Sequence, residues 1–285
     1  MRLRQYWETV YRPQRLLGAR EGTIGLYTNA ITHWEAFGDP RPTTDTVNQF
    51  AAWLLAKREP ATVNKVMRHL LAIMRHMERR GDLAKLPEYR RIREPRRSPL
   101  AFTVEEFSSV LSIASTLSGH VCYIQAAAWW RSLLLSIWYS GCRIGAMKQV
   151  ARADVMPTQA GFWVRAGAQK DHEGDWYAVD ADTVAAWRAA WMPARQLMWP
   201  WKGGEGRLND TFRDMCEAAG VHCETGTGSL FHRIRKSTAS YLEANGGNAT
   251  AQLGHSARSV TMHYLDPRIV RNCDATRFMP RPVAI

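Results

Sequence analysis

Long apolar runs are missing from this 285-residue sequence. None approaches the roughly 20 consecutive apolar residues that a bilayer-crossing helix needs. The opening "MRLRQYWETVYRPQ" lacks the apolar core of a signal peptide, so the expected compartment is the cytoplasm. Cysteine is scarce and odd in number: Cys122, Cys142, Cys216, Cys223 and Cys273 are dispersed, and no two form a C-x-x-C pair. That argues against a disulfide framework and against a zinc site, and favours free thiols over a metal held by Cys216, His222 and Cys223. A P-loop and clustered carboxylates are also missing, so the sequence carries no sign of a metal or nucleotide cofactor. Internal repeats and low-complexity tracts are absent.

Acidic residues are too few to balance the basic ones. The chain has 38 Lys and Arg against 26 Asp and Glu, a net charge of +12 and a pI near 9.8. Residues 1–99 hold 19 Lys/Arg and 10 Asp/Glu, so most of the excess lies in the N-terminal third. A basic face attracts a polyanion by its field and by releasing the polyanion's counterions. An acidic membrane surface competes poorly as partner, because no Lys-rich amphipathic segment stands apart from the fold.

What is present is mostly helical in period. Ile24, Tyr27, Ile31, Trp34 and Phe37 recur at three to four residues over 23–38, one apolar face closed by Gly38. "TTDTVNQFAAWLLAKR" predicts a second helix behind a Thr/Asp cap. "ATVNKVMRHLLAIMRHMERRG" predicts a third, with Val63, Val66, Leu70, Ile73 and Met77 on one stripe and Lys65, Arg68, Arg75, Arg79 and Arg80 mostly off it. The proline-bracketed "LPEYRRIREPRRSP" reads as a connector. Its Arg90, Arg91, Arg93, Arg96 and Arg97 suit a strap across a phosphate backbone better than a merely solvated tract. Thr103, with Glu106 three residues on, predicts a capped helix start. An Ala/Trp/Leu-rich helix is expected over about 121–139, ending at "YSGCRIG". "GFWVRAGAQKDHEGDWYAVD" alternates apolar and polar residues about a Gly-containing turn and predicts a β-hairpin with Lys170 near its tip. Helices are expected again over 181–199 and 207–219.

The stretch "LFHRIRKSTASYLEANGGNATAQLGHSARSVTMHYLDP" carries the polar residues most suggestive of chemistry. His232 and Arg235, three apart, share one helix face. His255 opens a second turn after Gly254, and Tyr264 follows nine residues later. Taken singly, H-x-x-R could be a surface pair, and the tyrosine a half-buried packing residue. Their order behind Arg143 and Lys170 is more informative than any one of them.

On "YSGCRIGAM", "HRIRKSTASYL" and "LGHSARSVTMHYLDP", the chain resembles the tyrosine recombinase, or phage integrase, family. The resemblance runs from about residue 20 to 267, in motif at the back and only in pattern at the front. It implies a mainly α fold with a small β-hairpin or sheet. A helical, SAM-like core DNA-binding domain would occupy 1–88, a basic interdomain linker 89–99, and a mixed α/β catalytic domain 100–267. A tail over 268–285, with Ile269, Val270 and Phe278, would pack either on its own domain or in a neighbouring protomer. No separate arm-site domain is expected in front.

The chemistry implied is attack of Tyr264 on a DNA phosphodiester, giving a 3′-phosphotyrosine and a free 5′-hydroxyl. Arg143 and Arg235 would hold the non-bridging oxygens and His255 would donate a further hydrogen bond. Lys170, or Lys148 in its place, would protonate the leaving oxygen, and His232 would assist proton transfer. Neither a metal nor a nucleotide is needed. Lys65, Arg68, Arg90, Arg91, Arg93, Arg96, Arg97 and Lys236 are the expected DNA contacts. The implied partner is double-stranded DNA, bound by a homo-tetramer on paired sites, with a directionality factor as a further possible partner and the nucleoid as location. A type IB topoisomerase and a non-cutting DNA-binding relic of the fold are the alternatives. The chain departs from the family in three places: Gly145 and Ala146 follow Ile144 where a serine and an acid are common, Lys236 stands where a second histidine is common, and 246–253 is short.

Overall fold

A computed structural model describes residues 2–95, 98–169, 173–222 and 230–270. The chain divides into two units, Met1–Arg96 and Arg97–Ile285.

In the first unit the three expected helices form where the apolar spacing put them, preceded by a further, unexpected helical run on which Leu3, Tyr6, Trp7, Val10 and Tyr11 also keep a helical period. That run is α1 (Leu3–Tyr6), a π turn (Trp7–Tyr11) and α2 (Arg12–Arg15). It buries Leu3, Tyr6, Trp7 and Tyr11, and Trp7 stacks on Tyr27 at 5.4 Å between ring centroids. Helix α3 (Glu21–Ala36) and helix α4 (Thr44–Leu55) follow. Thr43 and Thr46 cap α4 reciprocally: the Thr46 amide donates to the Thr43 hydroxyl at 3.2 Å and the Thr43 amide to the Thr46 hydroxyl at 2.8 Å. Helix α5 (Pro60–Arg79) starts on a proline whose missing N–H costs nothing there. It buries all five stripe residues and leaves Lys65, Arg68 and Arg75 exposed.

The Arg-rich segment is tied to this unit over its first half. Asn64, buried on α5, donates to the Ile92 carbonyl (2.8 Å) and to Glu94 (2.7 Å), and its side-chain oxygen accepts from the Ile92 amide (3.0 Å) and the Tyr89 hydroxyl (2.8 Å). One amide thus satisfies a whole turn of irregular backbone, which otherwise has no ladder to bond to. Arg90, Arg91 and Arg93 stay exposed on this strap, and Arg91 pairs with Glu94 at 2.7 Å. Arg96 and Arg97 lie outside the described residues.

The second unit opens with α6 (Val104–Ser115), capped by Thr103 and Glu106 as the spacing predicted. The expected helix over 121–139 starts later, as α7 (Ala126–Ser140). Residues before it form a tight hairpin, β1 (His120–Val121) with β2 (Ile124–Gln125), whose turn residues Cys122 and Tyr123 take positive φ of 49° and 71°. Apolar composition alone does not separate such a hairpin from a first helical turn. A short helix α8 (Ile144–Met147) follows. Then come β3 (Val155–Met156), β4 (Gly161–Val164) and β5 (Asp175–Ala178), an antiparallel sheet in the order β3-β4-β5. Phe162 pairs with Tyr177 across β4 and β5, so the predicted hairpin gains a third strand. The fold is mainly α with this small sheet.

Helix α9 (Ala181–Ala190) is half the length expected for 181–199. Pro193 disfavours helix at the residue before it, and Trp191 is already extended at ψ 120°. Helices α10 (Glu205–Ala218), α11 (Leu230–Ala244), α12 (Ala249–Gln252) and α13 (Arg258–Thr261) complete the unit. Helix α7 runs through its core, and serines spaced four apart let it hold tryptophans. Ser132 accepts from the Trp199 indole at 3.0 Å and Ser136 from that of Trp187 at 2.8 Å. Among the described residues no helix is long and apolar enough to cross a membrane.

Asn64→Ala leaves the Tyr89 hydroxyl and the Ile92 amide without their acceptor. It is expected to cost about 2–3 kcal/mol in urea unfolding and to speed amide exchange at Ile92.

Candidate active site

Helix α11 splits the run "HRIR" between two tasks. Arg233 faces inward to structure: it pairs with Glu106 at 2.6 Å, donates to the His222 carbonyl at 3.1 Å and lies 4.1 Å over the Phe102 ring. Its role was not foreseen, though the capping-box glutamate it binds was. His232 and Arg235 share the other face.

Arg235 is only 3% exposed, and its charge is held by carbonyl oxygens at two helix ends. Its Nη1 donates to Gly141 O (2.6 Å), at the end of α7, and its Nη2 to Leu253 O (2.7 Å), at the end of α12. Carbonyls in a last helical turn have no partner within the helix and carry the negative end of its dipole. The other late carbonyls of α7 are also taken. Gly141 N reaches Ile137 O (2.7 Å), the Thr238 hydroxyl reaches Trp138 O (2.8 Å), and Gln252 reaches Tyr139 O (3.3 Å) and Ser140 O (3.2 Å). Helices α7, α11 and α12 are thereby joined at one point. The Arg235 Nε is buried without a hydrogen-bond partner among the described residues.

Gly141 makes this junction possible. It takes φ 66°, and a Cβ there would lie 2.5 Å from Leu253 Cδ2. Arg143 follows two residues later, half-buried at the N-cap of α8. Among the described residues no carboxylate pairs with it, consistent with the Gly145 and Ala146 departure. Its positive charge acts on His232, Arg235 and His255 alike.

Tyr264 closes the group. Its ring lies 5.0 Å from that of His232, 4.7 Å from that of His255 and 5.8 Å from the Arg235 guanidinium. Gly254, at φ 60°, ends α12 in a Schellman turn in which the His255 amide bonds Thr250 O at 3.0 Å, and so aims the imidazole. The His255 Nε2 lies 3.2 Å from Arg235 Nη2 and its Nδ1 3.0 Å from the Thr261 hydroxyl. The backbone just after Tyr264 is clamped by Asp266. Its amide donates to Ser240 Oγ (2.9 Å), its carboxylate accepts from the Ala101 amide (2.7 Å), and Arg268 pairs with it (2.8 Å) while donating to Ala101 O (2.8 Å). Thr261, Asp266 and Ser240 had no distinguishing sequence signal, because each is a common residue made special only by what it meets.

Both imidazoles are held far from protonation. Burial, then the charge of Arg235, pushes His232 down to about 4, and burial followed by Arg235 and Arg143 does the same to His255. Burial also pushes the neighbouring Cys142 thiol up to about 11, which leaves it inert as a nucleophile.

The structure therefore brings together Arg143, His232, Arg235, His255 and Tyr264. Lys236 lies on α11, half-buried, and its charge acts on His232. Lys148 caps the end of α8. Lys170 lies outside the described residues, as do Cys223 and Cys273. In the first unit, Arg68 and Arg91 line a cleft of about 220 Å³ with Asn64, Leu71, Arg75 and Tyr89. Arg75 sits seven residues from Arg68, on the same face of α5. Lys65 is exposed on α5. Among the described residues no group of three or more His, Cys, Asp or Glu is placed to hold a metal ion.

No family model and no curated protein matches the chain. Solved structures do, and they show that it has the tyrosine recombinase fold. A dimer of lambda integrase residues 75–356 bound to a COC′ core site is similar at TM-score 0.76 and 16% identity, over 96% of this chain and 98% of that one. The Tn1549 transposon integrase in complex with a circular intermediate DNA gives TM-score 0.76 at 12% identity, over 98% of each. A lambda integrase tetramer bound to a Holliday junction gives 0.74 at 15%, over 96% of this chain and 80% of that one.

Two outcomes are expected. An unfolded histidine titrates near 6.5 while His232 and His255 stay neutral to about 4, so the unfolded chain takes up protons first as pH falls. Their contribution to stability is complete above that range and is lost between about 6.5 and 4. Urea midpoints should fall through this window, and fall less for His232→Gln. Gly141→Ala strains the backbone and meets Leu253, and should cost about 2 kcal/mol or more in thermal unfolding.

Proposed function

We propose that this protein is a site-specific DNA recombinase of the integrase type. The observation that carries the reading is the convergence of Arg235, His232 and His255 on the Tyr264 ring within a tyrosine recombinase fold.

In the proposed reaction the Tyr264 oxygen attacks a backbone phosphorus. A phosphotyrosine P–O bond forms, the bond to the 5′-oxygen breaks, and that oxygen leaves as a 5′-hydroxyl once protonated. An ordinary tyrosine, with a pKa of ~10, gives up its proton only as attack proceeds. His232 stays neutral at physiological pH and its ring lies beside that of Tyr264, so it can accept that proton. Arg143 and Arg235 stabilise the extra charge on the non-bridging oxygens. His255 contributes to the same phosphate. Lys170, or failing it Lys148, protonates the leaving oxygen. Attack by another 5′-hydroxyl reverses the chemistry and joins new strands. The phosphotyrosine conserves the bond energy, so the cycle needs neither metal nor nucleotide.

Residues 1–88, through Lys65 and Arg68, and the linker 89–99, through Arg90, Arg91, Arg93, Arg96 and Arg97, are proposed to grip the duplex, with Lys236 adding a contact from the catalytic region, 100–267. The lambda and Tn1549 proteins were captured on DNA, the former as dimer and tetramer. A homo-tetramer on paired sites is the corresponding assembly here, with the tail from 268 onward joining protomers or folding back. Arg268 favours folding back for the start of that tail, since it bonds Asp266 and Ala101 of its own chain.

Covalent trapping tests this. Nicked fragments of host DNA are incubated with wild type and with Tyr264→Phe, denatured, and the adducts sequenced. Wild-type adducts alone, focused on a few inverted repeats, are expected, with salt-sensitive DNA binding kept in both proteins. Adducts without sequence preference would indicate a topoisomerase instead. Tight binding without any adduct would identify a non-cutting relic, and equal cleavage by both proteins would remove Tyr264 from its role.

A further inference from the structure

Within the second unit, the chain leaving the connector is bonded to the segment that follows Tyr264. Ala101 comes two positions after the proline-bracketed stretch 86–99, and side chains from beyond Tyr264 take both of its backbone groups. The Ala101 amide donates to Asp266 Oδ2 at 2.7 Å, and Arg268 Nη2 donates to Ala101 O at 2.8 Å. The next amide, that of Phe102, donates to Ser237 Oγ on α11 at 2.7 Å. Asp266 is 1% exposed, and its carboxylate also accepts from the Arg268 amide at 2.9 Å and the Arg268 side chain at 2.8 Å. Burial opposes the charge, yet Arg268 and the Ala101 amide together hold the carboxyl below the usual carboxylate range. Ser240 Oγ, on α11, accepts from the Asp266 amide at 2.9 Å and donates to Tyr264 O at 3.4 Å. With the Tyr264 amide on Thr261 O at 2.8 Å, the main chain is held on both sides of the candidate nucleophile.

We propose that Asp266 is a positioning residue that joins the end of the connector to the main chain of Tyr264, so that the connector's hold on a duplex sets where the nucleophile stands. Nucleophile and duplex here rest on the recombinase reading above; the joint rests on the hydrogen bonds alone. A buried carboxylate that takes two amides and a guanidinium makes a stiff joint, because opening it leaves a charge or a donor unpaired away from water. Little slack separates the joint from the strap. Ala101 lies four residues after Arg97, at most about 14 Å of extended chain, and Pro99 stiffens that stretch further. A shift of the strap therefore reaches Asp266, two residues from Tyr264. A nucleophile misplaced by about 1 Å can lose about 100-fold in rate.

Two full-length variants open the joint from either end. Asp266→Asn keeps the shape but cannot accept from all these donors, and a Gly-Gly insertion between Ser98 and Pro99 adds slack. Adduct formation is followed in single turnover on the nicked duplex recovered by covalent trapping, with protein saturating, so that weaker binding does not enter. Each variant is expected to form adduct about 10- to 100-fold more slowly than wild type. The insertion should slow Asp266→Asn no further, because that joint is already open. A double variant slowed by the product of the two single losses would overturn the proposal, as would a wild-type rate in Asp266→Asn. Amide exchange gives a readout without chemistry: the insertion should speed exchange at Ala101, Tyr264 and Asp266, and unchanged exchange there would remove the joint. Should Asp266→Asn fail to fold, Arg268→Gln, at a half-exposed side chain, takes its place in the same cycle. Should wild type form no adduct on any DNA, the recombinase reading fails, and exchange still decides whether connector and Tyr264 are joined.

Discussion

A buried arginine cannot discard its proton at any physiological pH, so the fold around Arg235 must supply negative charge or go without the residue. Among the described residues it supplies no carboxylate. Two carbonyl oxygens, from the ends of α7 and α12, take the guanidinium's two arms. Those oxygens are the groups a helix end leaves unsatisfied, so the cation and the helix termini solve one another's problem. A carboxylate would neutralise the arginine in place. Carbonyl dipoles hold it while leaving most of its charge to act on a further anion, which is the property an anion-binding site needs.

The consequences spread outward from that junction. Because Arg235 must reach Gly141 O, α7 has to end there, and a glycine in the left-handed region ends it without strain while letting Leu253 approach. Arg143 is delivered two residues later by the same turn. Because Arg235 must also reach Leu253 O, α12 ends beside it, and Gly254 throws His255 back toward the guanidinium. Two cations and a dry environment then keep both histidines neutral, as proton acceptors rather than additional charges. Tyr264 is brought to these groups by a different device. Asp266, Ser240 and Arg268 fix the backbone that follows it to α11 and to residue 101.

Much of the fold in both units was legible because its residues carry signals that local rules can read. Thr103 with Glu106 is a cap by spacing alone, α5 is a stripe by period alone, and Gly141 before Arg143 marks a helix end by composition. The failures have equally local causes. The start of the helix expected over about 121–139 is a hairpin instead, because Val121 and Ile124, three residues apart, fit a helical turn equally well. Helix α9 was drawn too long across Pro193, although that proline contradicts it. The aromatic run at Leu3–Arg15 was not expected, although Leu3, Tyr6, Trp7, Val10 and Tyr11 keep a helical period; its buried residues join the core of the first unit.

By itself, the sequence singled out Arg143, Lys170, His232, Arg235, His255 and Tyr264 as candidates, through motifs that resemble those of tyrosine recombinases. Which of them touch, in what protonation state and with whose support, only the tertiary structure decided. Arg233 and Arg235 are two residues apart and chemically identical, yet one meets Glu106 and becomes a strut while the other meets two carbonyls and a histidine. Thr261 and Asp266 carry no mark in the sequence either. Charge, burial and hydrogen-bond direction belong to pairs of groups, and the partners lie up to 167 residues away in sequence, as Arg268 and Ala101 do.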